Sequence, residues 1–268
     1  MPRRRPLFSI VSAVYNVEPY LSDFLRSIEA QTIDPGLLEV VAVDDGSTDG
    51  SLGLLESWRA RSRLRITVLT QANAGQSTAR NAGMAAATGE WVIAADPDDV
   101  LDKHFFKAAQ DFAHAHPDIE IMGSNVWILS EALGRERNNH PRRGQFAAGT
   151  RVVDLDRHPN VYPGSGTVAF LRLDRIRSLG LSYDAELRPS FEDAHFSARY
   201  VMSLERPVAG LLADAVYLYR KRIASDSTMQ RSFEHAGRYG TVLERGYLDL
   251  FRFRRSGRGG SRLGFSTS

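Results

Sequence analysis

Three carboxylates follow an apolar segment, and their spacing points to cation chemistry. Asp96, Asp98 and Asp99, the carboxylate cluster, come directly after the apolar run at 91–95. Carboxylates repel one another, so such a cluster is costly unless positive charge lies beside it. Mg²⁺ and Mn²⁺ bind oxygen ligands of this kind and often share them with substrate phosphates. The cluster therefore predicts a metal–diphosphate site, while a solvated turn is the plainer alternative because Asp and Pro favour turns.

The elements around the carboxylate cluster would place it at one edge of a parallel sheet. Apolar strands are predicted at 8–14, 38–43, 65–69 and 91–95, separated by amphipathic helices at 20–30, 49–61 and 77–87. This alternation is typical of a parallel sheet with helices on both faces. Ligands of such sheets bind beyond the carboxyl ends of the strands. The polar residues at those ends are Tyr15, Asn16, Asp44, Asp45 and the carboxylate cluster.

After residue 100 the pattern becomes less regular. Helices are predicted at 102–116, 174–180, 192–202 and 239–253, and strands at 120–129, 167–172 and 215–219. Residues 135–151 are polar and rich in Asn, Arg and Gly, which indicates a loop or an irregular hairpin. Residues 254–268 are mostly Gly, Ser and Arg, a composition typical of a disordered tail.

Composition excludes several kinds of site. The 268 residues include no cysteine, which rules out disulfides, thiolate zinc sites and cysteine nucleophiles. No apolar run approaches the roughly 20 residues that span a bilayer, and no signal peptide follows the basic start of the chain. We therefore expect a cytoplasmic protein.

Arginines are concentrated at the two ends of the chain. The net charge is only +2, but Arg3 to Arg5 open the chain and five arginines follow Asp249 without an acidic residue. Such blocks of like charge usually form solvated tails. They would also attract anionic lipid or a polyanionic substrate, so peripheral membrane association is an expectation. No nucleic-acid-binding motif accompanies the charge, and we expect no nucleic acid partner.

Six short motifs occur in order along residues 7–229. They are Val14-Tyr15-Asn16, Val43 to Asp49, Asn73 to Gly83, Asp96 to Asp99, Phe191-Glu192-Asp193, and Tyr219 to Arg222 with Ser227 beyond. Together they resemble the glycosyltransferase family 2 enzymes. The resemblance implies an α/β fold of the GT-A type, a Rossmann-like and mainly parallel sheet flanked by helices. It also implies a metal-dependent enzyme that moves a sugar from a nucleotide diphosphate to an acceptor hydroxyl and inverts the anomeric carbon.

The resemblance assigns the donor site mainly to residues at the strand ends. Asp45 precedes Gly46, which permits a tight turn, so its carboxylate could accept hydrogen bonds from a base or ribose. Asp96 is implied on the ribose side, Asp98 as the ligand of Mn²⁺ or Mg²⁺, and Asp99 as a support for the metal or the acceptor. The other implied donor contacts are Val14, Tyr15, Asn16, Glu18, Asn73, Gly75, Arg80, Arg220, Arg222 and Ser227.

Plain structural roles are the alternatives for several of these residues. Tyr15 could be a core aromatic, Arg80 a partner in a surface salt bridge, and the basic run at 220–222 a solvated loop. In the favoured interpretation, Arg220 and Arg222 share one face of an extended segment and clamp the diphosphate.

Glu192 and Asp193 form the predicted acceptor side. The resemblance implies that Asp193 is the general base that takes the proton of the acceptor hydroxyl, with Glu192 orienting the acceptor. An ordinary acidic helix N-terminus is the alternative. His195 lies on the same predicted helix and is interpreted as a spectator.

Residues 225–251 are most similar to teichoic-acid-type members of the family, which glycosylate polyol-phosphate polymers. This implies a UDP-sugar donor and a glycan or polyol-phosphate acceptor at the inner face of the membrane, with a homo-oligomer as a further expectation. The lack of membrane-spanning segments argues against a processive synthase. A nucleotidyltransferase and a non-catalytic nucleotide-sugar-binding module remain as alternatives.

The predicted layout follows from the same resemblance. Residues 1–6 are a basic tail, and 7–230 are the GT-A domain, with a nucleotide-binding half at 7–100 and an acceptor half at 101–230. A helical segment follows at 231–253, and a disordered basic tail at 254–268.

Overall fold

The first hundred residues form the predicted alternation of strands and helices. A computed structural model describes residues 5–161, 163–164, 167–187, 191–222 and 236–255. Its first elements are β1 (Phe8–Val14), α1 (Glu18–Glu29), β2 (Leu38–Asp44), α2 (Ser51–Arg61), β3 (Arg65–Thr70), α3 (Gln76–Ala86) and β4 (Trp91–Ala94). Strands β1, β2 and β4 are almost wholly buried, as continuous apolar runs predict, and the edge strand β3 is half-buried.

The second half contains more strands than the sequence predicts. Its elements are β5 (Val100–Leu101), α4 (Phe105–Ala115), β6 (Ile121–Ser130), β7 (Arg135–Arg137), β8 (Arg151–Asp154), β9 (Ala169–Arg172), α5 (Leu173–Ser178), α6 (Glu192–Met202), β10 (Val208–Lys221) and α7 (Ala236–Arg255). The prediction for β10 was too short because its pairing with β6 shifts register between Leu212 and Val216, which interrupts the apolar pattern. Among the described helices, none has a stretch apolar and long enough to cross a bilayer.

One sheet passes through both halves of the chain. The strand order is β3-β2-β1-β4-β9-β6-β10-β5, with β7 beside β6 and β8 beside β10. The four strands β1 to β4 pair in parallel, as do β6 and β10, while β9 joins the two groups by antiparallel pairing. The predicted fold class, a mainly parallel sheet flanked by helices, is confirmed.

An aromatic cluster joins α4 to the sheet. The ring centroids of Phe105 and Phe170 are 5.1 Å apart, and those of Phe8 and Phe106 are 5.3 Å apart. All four side chains are fully buried. Tyr217 of β10 lies against Phe105 with its ring centroid 6.1 Å away, and its hydroxyl reaches the backbone N–H of Asp96 at 3.1 Å. The core therefore extends directly beneath the carboxylate cluster.

Candidate active site

The loop before α3 is held in place by Asp45, which follows β2. Oδ1 of Asp45 accepts hydrogen bonds from Gln71 Nε2 at 2.7 Å and from the N–H of Ala74 at 2.9 Å. Oδ2 accepts from the N–H of Gly75 at 2.8 Å. The sequence predicts a contact between Asp45 and the nucleotide. In the structure both oxygens bind the loop at 71–75, so Asp45 fixes that loop at the carboxyl edge of the sheet, and its contact with a nucleotide stays a prediction.

Asn16 and Glu18 connect the end of β1 to the start of α2. Oδ1 of Asn16 accepts from the N–H of Thr48 at 2.8 Å, and Oε2 of Glu18 accepts from the N–H of Gly50 at 2.7 Å. Asn16 has a φ of 50°, a left-handed conformation that Asn tolerates well. Both side chains were predicted to contact the donor. In the structure one oxygen of each side chain holds the two neighbouring loops together, and the donor contacts stay predictions.

Val14 and Tyr15 do not share one role. Val14 is fully buried in the core, whereas the side chain of Tyr15 is 47% exposed at the carboxyl edge of the sheet. The stacking floor predicted from both residues therefore reduces to Tyr15. Asn73 is also exposed, on the loop that Asp45 holds.

Gly75 begins α3 in a conformation that few other residues adopt. Its φ is 90° and its ψ is 160°. Gly75 is the residue that precedes Gln76, the first residue of α3, and it has no side chain of its own to cap the helix. A helix N-terminus of this kind favours negative charge.

Arg80 lies at the centre of the site. Its side chain is only 3% exposed, and it donates from Nη2 to Asp96 Oδ1 at 2.7 Å and from Nη1 to Glu192 Oε1 at 3.4 Å. Burial acts to lower the pKa of Arg80, but the nearby carboxylates, Asp96 first, raise it overall. Burial also raises the pKa of Asp96, against the opposing effect of Arg80. Arg80 thus joins the strand edge to the first residue of α6.

Asp98 is paired with Arg222. Nη2 of Arg222 donates to Asp98 Oδ2 at 2.6 Å, and the guanidinium lies 4.5 Å from the ring centroid of Tyr20. The positive charge that the carboxylate cluster requires was predicted to come from a metal, with Arg80 as a further source for the nucleotide or the cluster. In the structure Arg80 and Arg222 supply part of it from within the chain.

Arg220 lies behind the turn that carries Asp98. Its Nε donates to the carbonyl oxygen of Asp98 at 2.6 Å, and Nη2 donates to Asp23 Oδ2 at 2.8 Å. Its guanidinium also lies over the Tyr20 ring at 5.4 Å, so the two arginines share a face as the alternation predicts. Nε of Arg220 thus holds the turn at Asp98 and Nη2 holds Asp23 of α1, and the clamp on a diphosphate stays a prediction.

Asp99 is the carboxylate whose surroundings best fit a nearby cation. It is 1% exposed, its Oδ1 accepts a hydrogen bond from the N–H of Arg220 at 2.8 Å, and the side chain of Tyr217 also interacts with the carboxylate. Burial, followed by the charges of Asp98 and Asp96, raises the pKa of Asp99 well above its usual value. A hard divalent cation would relieve this repulsion, so the oxygen donors of the carboxylate cluster fit Mg²⁺ or Mn²⁺.

The protein alone does not complete a metal site in the part of the chain that the structure describes. No three His, Cys, Asp or Glu side chains are placed there to hold an ion together. A cation bound by Asp98 would need further ligands, and the oxygens of a diphosphate would supply them. Metal and donor would then bind together.

Glu192 and Asp193 open α6 in different surroundings. Glu192 is 8% exposed, and burial, followed by the charge of Asp193, raises the pKa of its carboxyl to about 7. Asp193 is only half-buried, and its Oδ1 accepts a hydrogen bond from the N–H of Ala194 at 2.8 Å. The more accessible Asp193 is the better placed of the two to meet an acceptor, and Glu192 lies behind it against Arg80.

The raised pKa of Glu192 predicts a pH-dependent stability. The folded protein favours the protonated carboxyl of Glu192. The contribution of this group to the free energy of unfolding is therefore fully present below its unfolded pKa of 4.5 and is lost as the pH rises through about 7. Glu192→Gln should therefore raise the free energy of unfolding at pH 8 by up to roughly 3 kcal/mol, and by much less at pH 5. Urea unfolding at both pH values measures this. Glu56→Gln, on the exposed face of α2, is the control and should change neither value. Equal effects of Glu192→Gln at both pH values would contradict the assignment.

Two aromatic residues of the site were not predicted. Tyr20 lies on α1 beneath Arg220 and Arg222, and the sequence indicates it only as the first residue of the amphipathic helix predicted at 20–30. Tyr183 lies 5.4 Å from the Arg80 guanidinium and stacks on Phe196 at 4.2 Å. Nothing in its local sequence distinguishes it. Ser227, predicted to close over the donor, lies outside the described residues.

Comparison with known proteins places this site in a family. The model of the family described as "Glycosyl transferase family 2" matches residues 9–174, more than half of the chain. The minor teichoic acid biosynthesis protein GgaA of Bacillus subtilis is 29% identical over 249 residues, which cover 91% of this chain and 54% of GgaA. The poly(ribitol-phosphate) β-N-acetylglucosaminyltransferase TarS of Staphylococcus aureus strain Mu50 is 35% identical over 212 residues, 79% of this chain and 35% of TarS.

A solved structure agrees with the fold. The crystal structure of S. aureus TarS 1-349 in complex with UDP-GlcNAc has a TM-score of 0.70 and 26% identity, covering 83% of this chain and 60% of that chain. The chain therefore spans about half the length of GgaA and about a third of TarS.

Proposed function

The chain belongs to glycosyl transferase family 2, and on that premise we propose that it moves a sugar from a nucleotide diphosphate to an acceptor hydroxyl. The proposed donor is a UDP-sugar, and the proposed acceptor is a polyol-phosphate polymer of the teichoic-acid type. The donor is supported by the relative solved with UDP-GlcNAc, and the acceptor by the names of GgaA and TarS.

One observation carries the proposal. The guanidinium of Arg80 contacts Asp96 at 2.7 Å and Glu192 at 3.4 Å. It therefore brings the carboxyl edge of the sheet, where a nucleotide would bind, next to the N-terminus of α6. Sugar transfer requires this adjacency, because the base must reach the acceptor while the donor is held beside it.

Asp193 is the proposed general base. It would accept the proton of the acceptor hydroxyl as that oxygen attacks the anomeric carbon from the face opposite the leaving diphosphate, which inverts the configuration. Glu192 would keep Arg80 and Asp193 in place. Its pKa of about 7 would let its carboxyl change charge near neutral pH. The charged Arg222 beside Asp98 would lie close to the leaving diphosphate.

Asp98 would hold Mn²⁺ or Mg²⁺, with support from Asp99. The bound cation would supply charge neutralisation for the diphosphate as the glycosidic bond breaks. Asp96 and Arg80 would remain paired at the ribose side, and Tyr15 would offer its exposed ring to the base.

A screen of nucleotide sugars tests the proposed function directly. The protein would be mixed with each donor, with Mg²⁺ or Mn²⁺, and with a polyol-phosphate polymer, and release of nucleoside diphosphate and labelled polymer would both be followed. Transfer from a UDP-sugar supports the proposal. Release of pyrophosphate from a nucleoside triphosphate and a sugar phosphate would indicate a nucleotidyltransferase instead.

We also propose that α7 brings the protein to an anionic membrane surface at the inner face of the membrane. Tyr247 is 61% exposed, and Leu248 and Phe251 are exposed on the same side of α7, next to Arg252. Exposed aromatic and aliphatic side chains beside arginines are typical of helices that lie on anionic lipid. Association into a homo-oligomer stays a prediction.

Vesicle binding checks the membrane proposal. The protein should sediment with phosphatidylglycerol vesicles at low salt, and Leu248→Glu should reduce the bound fraction several-fold because it removes apolar surface and adds negative charge. Leu133→Glu, an equally exposed leucine away from α7, is the control and should not. Equal binding to neutral phosphatidylcholine vesicles, or no effect of Leu248→Glu, would contradict it.

A further inference from the structure

The helix that carries Asp193 begins at a strained residue. Phe191 has a φ of 87° and a ψ of −16°, a left-handed conformation that bulky side chains rarely adopt. Strain of this kind persists only where surrounding contacts impose it. Because Phe191 directly precedes Glu192 and Asp193, its backbone sets the direction in which both carboxylates leave the chain.

Contacts from α7 hold Phe191. The ring centroids of Phe191 and Tyr247 are 5.0 Å apart. A Cβ atom at Gly246 would lie 2.5 Å from Cε1 of Phe191 and 3.5 Å from Cδ2 of Leu187. Only glycine at position 246 allows α7 to approach the Phe191 ring this closely.

Two further contacts keep α7 in register with α6. Nε2 of His195 lies 2.9 Å from Asp249 Oδ2, and the guanidinium of Arg199 lies 4.8 Å from the ring centroid of Phe253. Burial lowers the pKa of His195, against the opposing effect of the hydrogen bond to Asp249. Residues 191, 195 and 199 are four positions apart and therefore lie along one side of α6. They contact residues 246, 249 and 253 of α7, respectively. The two helices are matched along three successive turns.

We propose that α7 is a positioning element for the catalytic base: Gly246 and Tyr247 hold Phe191 in its left-handed conformation, and this aims Asp193 at the acceptor hydroxyl. The inference rests on the proposed function, since it takes Asp193 as the base. Gly246 and Phe191 do not touch the reacting groups themselves, so their effect reaches the chemistry only through Asp193. An alanine at 246 would displace Phe191 or α7 and leave the donor edge of the sheet untouched.

Gly246→Ala is the first test, with a matched glycine as its control. The variant should lower kcat by roughly 10- to 100-fold, because a small misplacement of a catalytic group has effects of that size. Its affinity for UDP should stay within about twofold of the wild-type value, since α7 is not part of the carboxyl edge of the sheet where the donor is proposed to bind. Gly53→Ala adds the same methyl group to α2, where nothing lies within 4 Å, and should leave both quantities unchanged. A folded Gly246→Ala variant with wild-type kcat would overturn the inference.

A double-mutant cycle separates positioning from general stability. If Gly246 acts through Asp193, then adding Gly246→Ala to Asp193→Asn should change the residual kcat by less than about twofold. A further tenfold loss in the double variant would overturn the positioning role. Wild-type transfer by Asp193→Asn would instead refute the proposed base, and the inference with it. A slow Asp193→Asn beside a fully active Gly246→Ala would refute the inference alone.

Phe191→Gly gives the same test should Gly246→Ala fail to fold. Glycine accepts the φ of 87° without strain but removes the ring that α7 holds. Phe191→Gly should lower kcat as much as Gly246→Ala does. It should cause no further fall in kcat when it is added to Asp193→Asn. An unchanged kcat would overturn the inference.

Discussion

Replacing Asp193 with asparagine should lower the rate of sugar transfer by roughly 10²- to 10⁴-fold and leave the affinity for UDP nearly unchanged. A general base acts on the acceptor hydroxyl, so its removal slows the chemical step. It does not weaken the donor complex, because Asp193 stands on α6 and not on the strand edge. The two quantities are measured by product formation at saturating substrates and by calorimetric titration with UDP.

Asp45→Asn provides the opposite pattern and serves as the contrast. The two oxygens of Asp45 accept hydrogen bonds from Gln71 and from the N–H groups of Ala74 and Gly75. An amide offers one acceptor in place of two, so the loop before α3 should loosen and UDP affinity should fall first.

Near-normal transfer by Asp193→Asn would show that the base lies elsewhere, with Asp99 as the next candidate.

Asp98→Asn should abolish most activity and weaken nucleotide binding at the same time. Losing the metal ligand would remove several kcal/mol of transition-state stabilisation. The structure adds a second expectation, because no three His, Cys, Asp or Glu side chains are placed together to hold an ion in the described part of the chain. The cation and the diphosphate should depend on each other, so EDTA should weaken the binding of UDP to the wild-type protein as well as stop turnover.

Asp111→Asn is the matched control for this variant. Asp111 lies on the exposed side of α4, where it pairs with Lys107. It has no proposed role at the carboxyl edge of the sheet. It should change neither turnover nor UDP affinity. Unchanged turnover of the wild-type protein in EDTA would contradict the role assigned to Asp98.

The carboxyl edge of the sheet, where we propose that the donor binds, was predictable from the sequence because its position follows from strand ends. Three buried strands each end in polar residues, and parallel pairing brings those ends together without any knowledge of side-chain contacts. The precise partners were not predictable. The donor contacts of Asp45, Asn16 and Glu18 stay predictions, but the sequence did not indicate that these side chains also bind backbone N–H groups of neighbouring loops. A carboxylate at a strand end has the same appearance in either role.

Contacts between distant parts of the chain could not be predicted at all. Arg80 meets Glu192 across 112 positions, and Tyr20 lies beneath two arginines about 200 residues away. No periodicity or local propensity carries information at that separation. The left-handed Phe191 and its contact with Gly246 are of the same kind, since a phenylalanine gives no local signal for that conformation.

The anomeric configuration of the product tests the account most directly. A single displacement assisted by Asp193 on the face opposite the diphosphate must invert the transferred sugar. Proton NMR of the product formed from an α-linked UDP-sugar should therefore show a β-linkage. An α-linked product, or no transfer from any nucleotide sugar by the folded protein with Mg²⁺ or Mn²⁺, would contradict it.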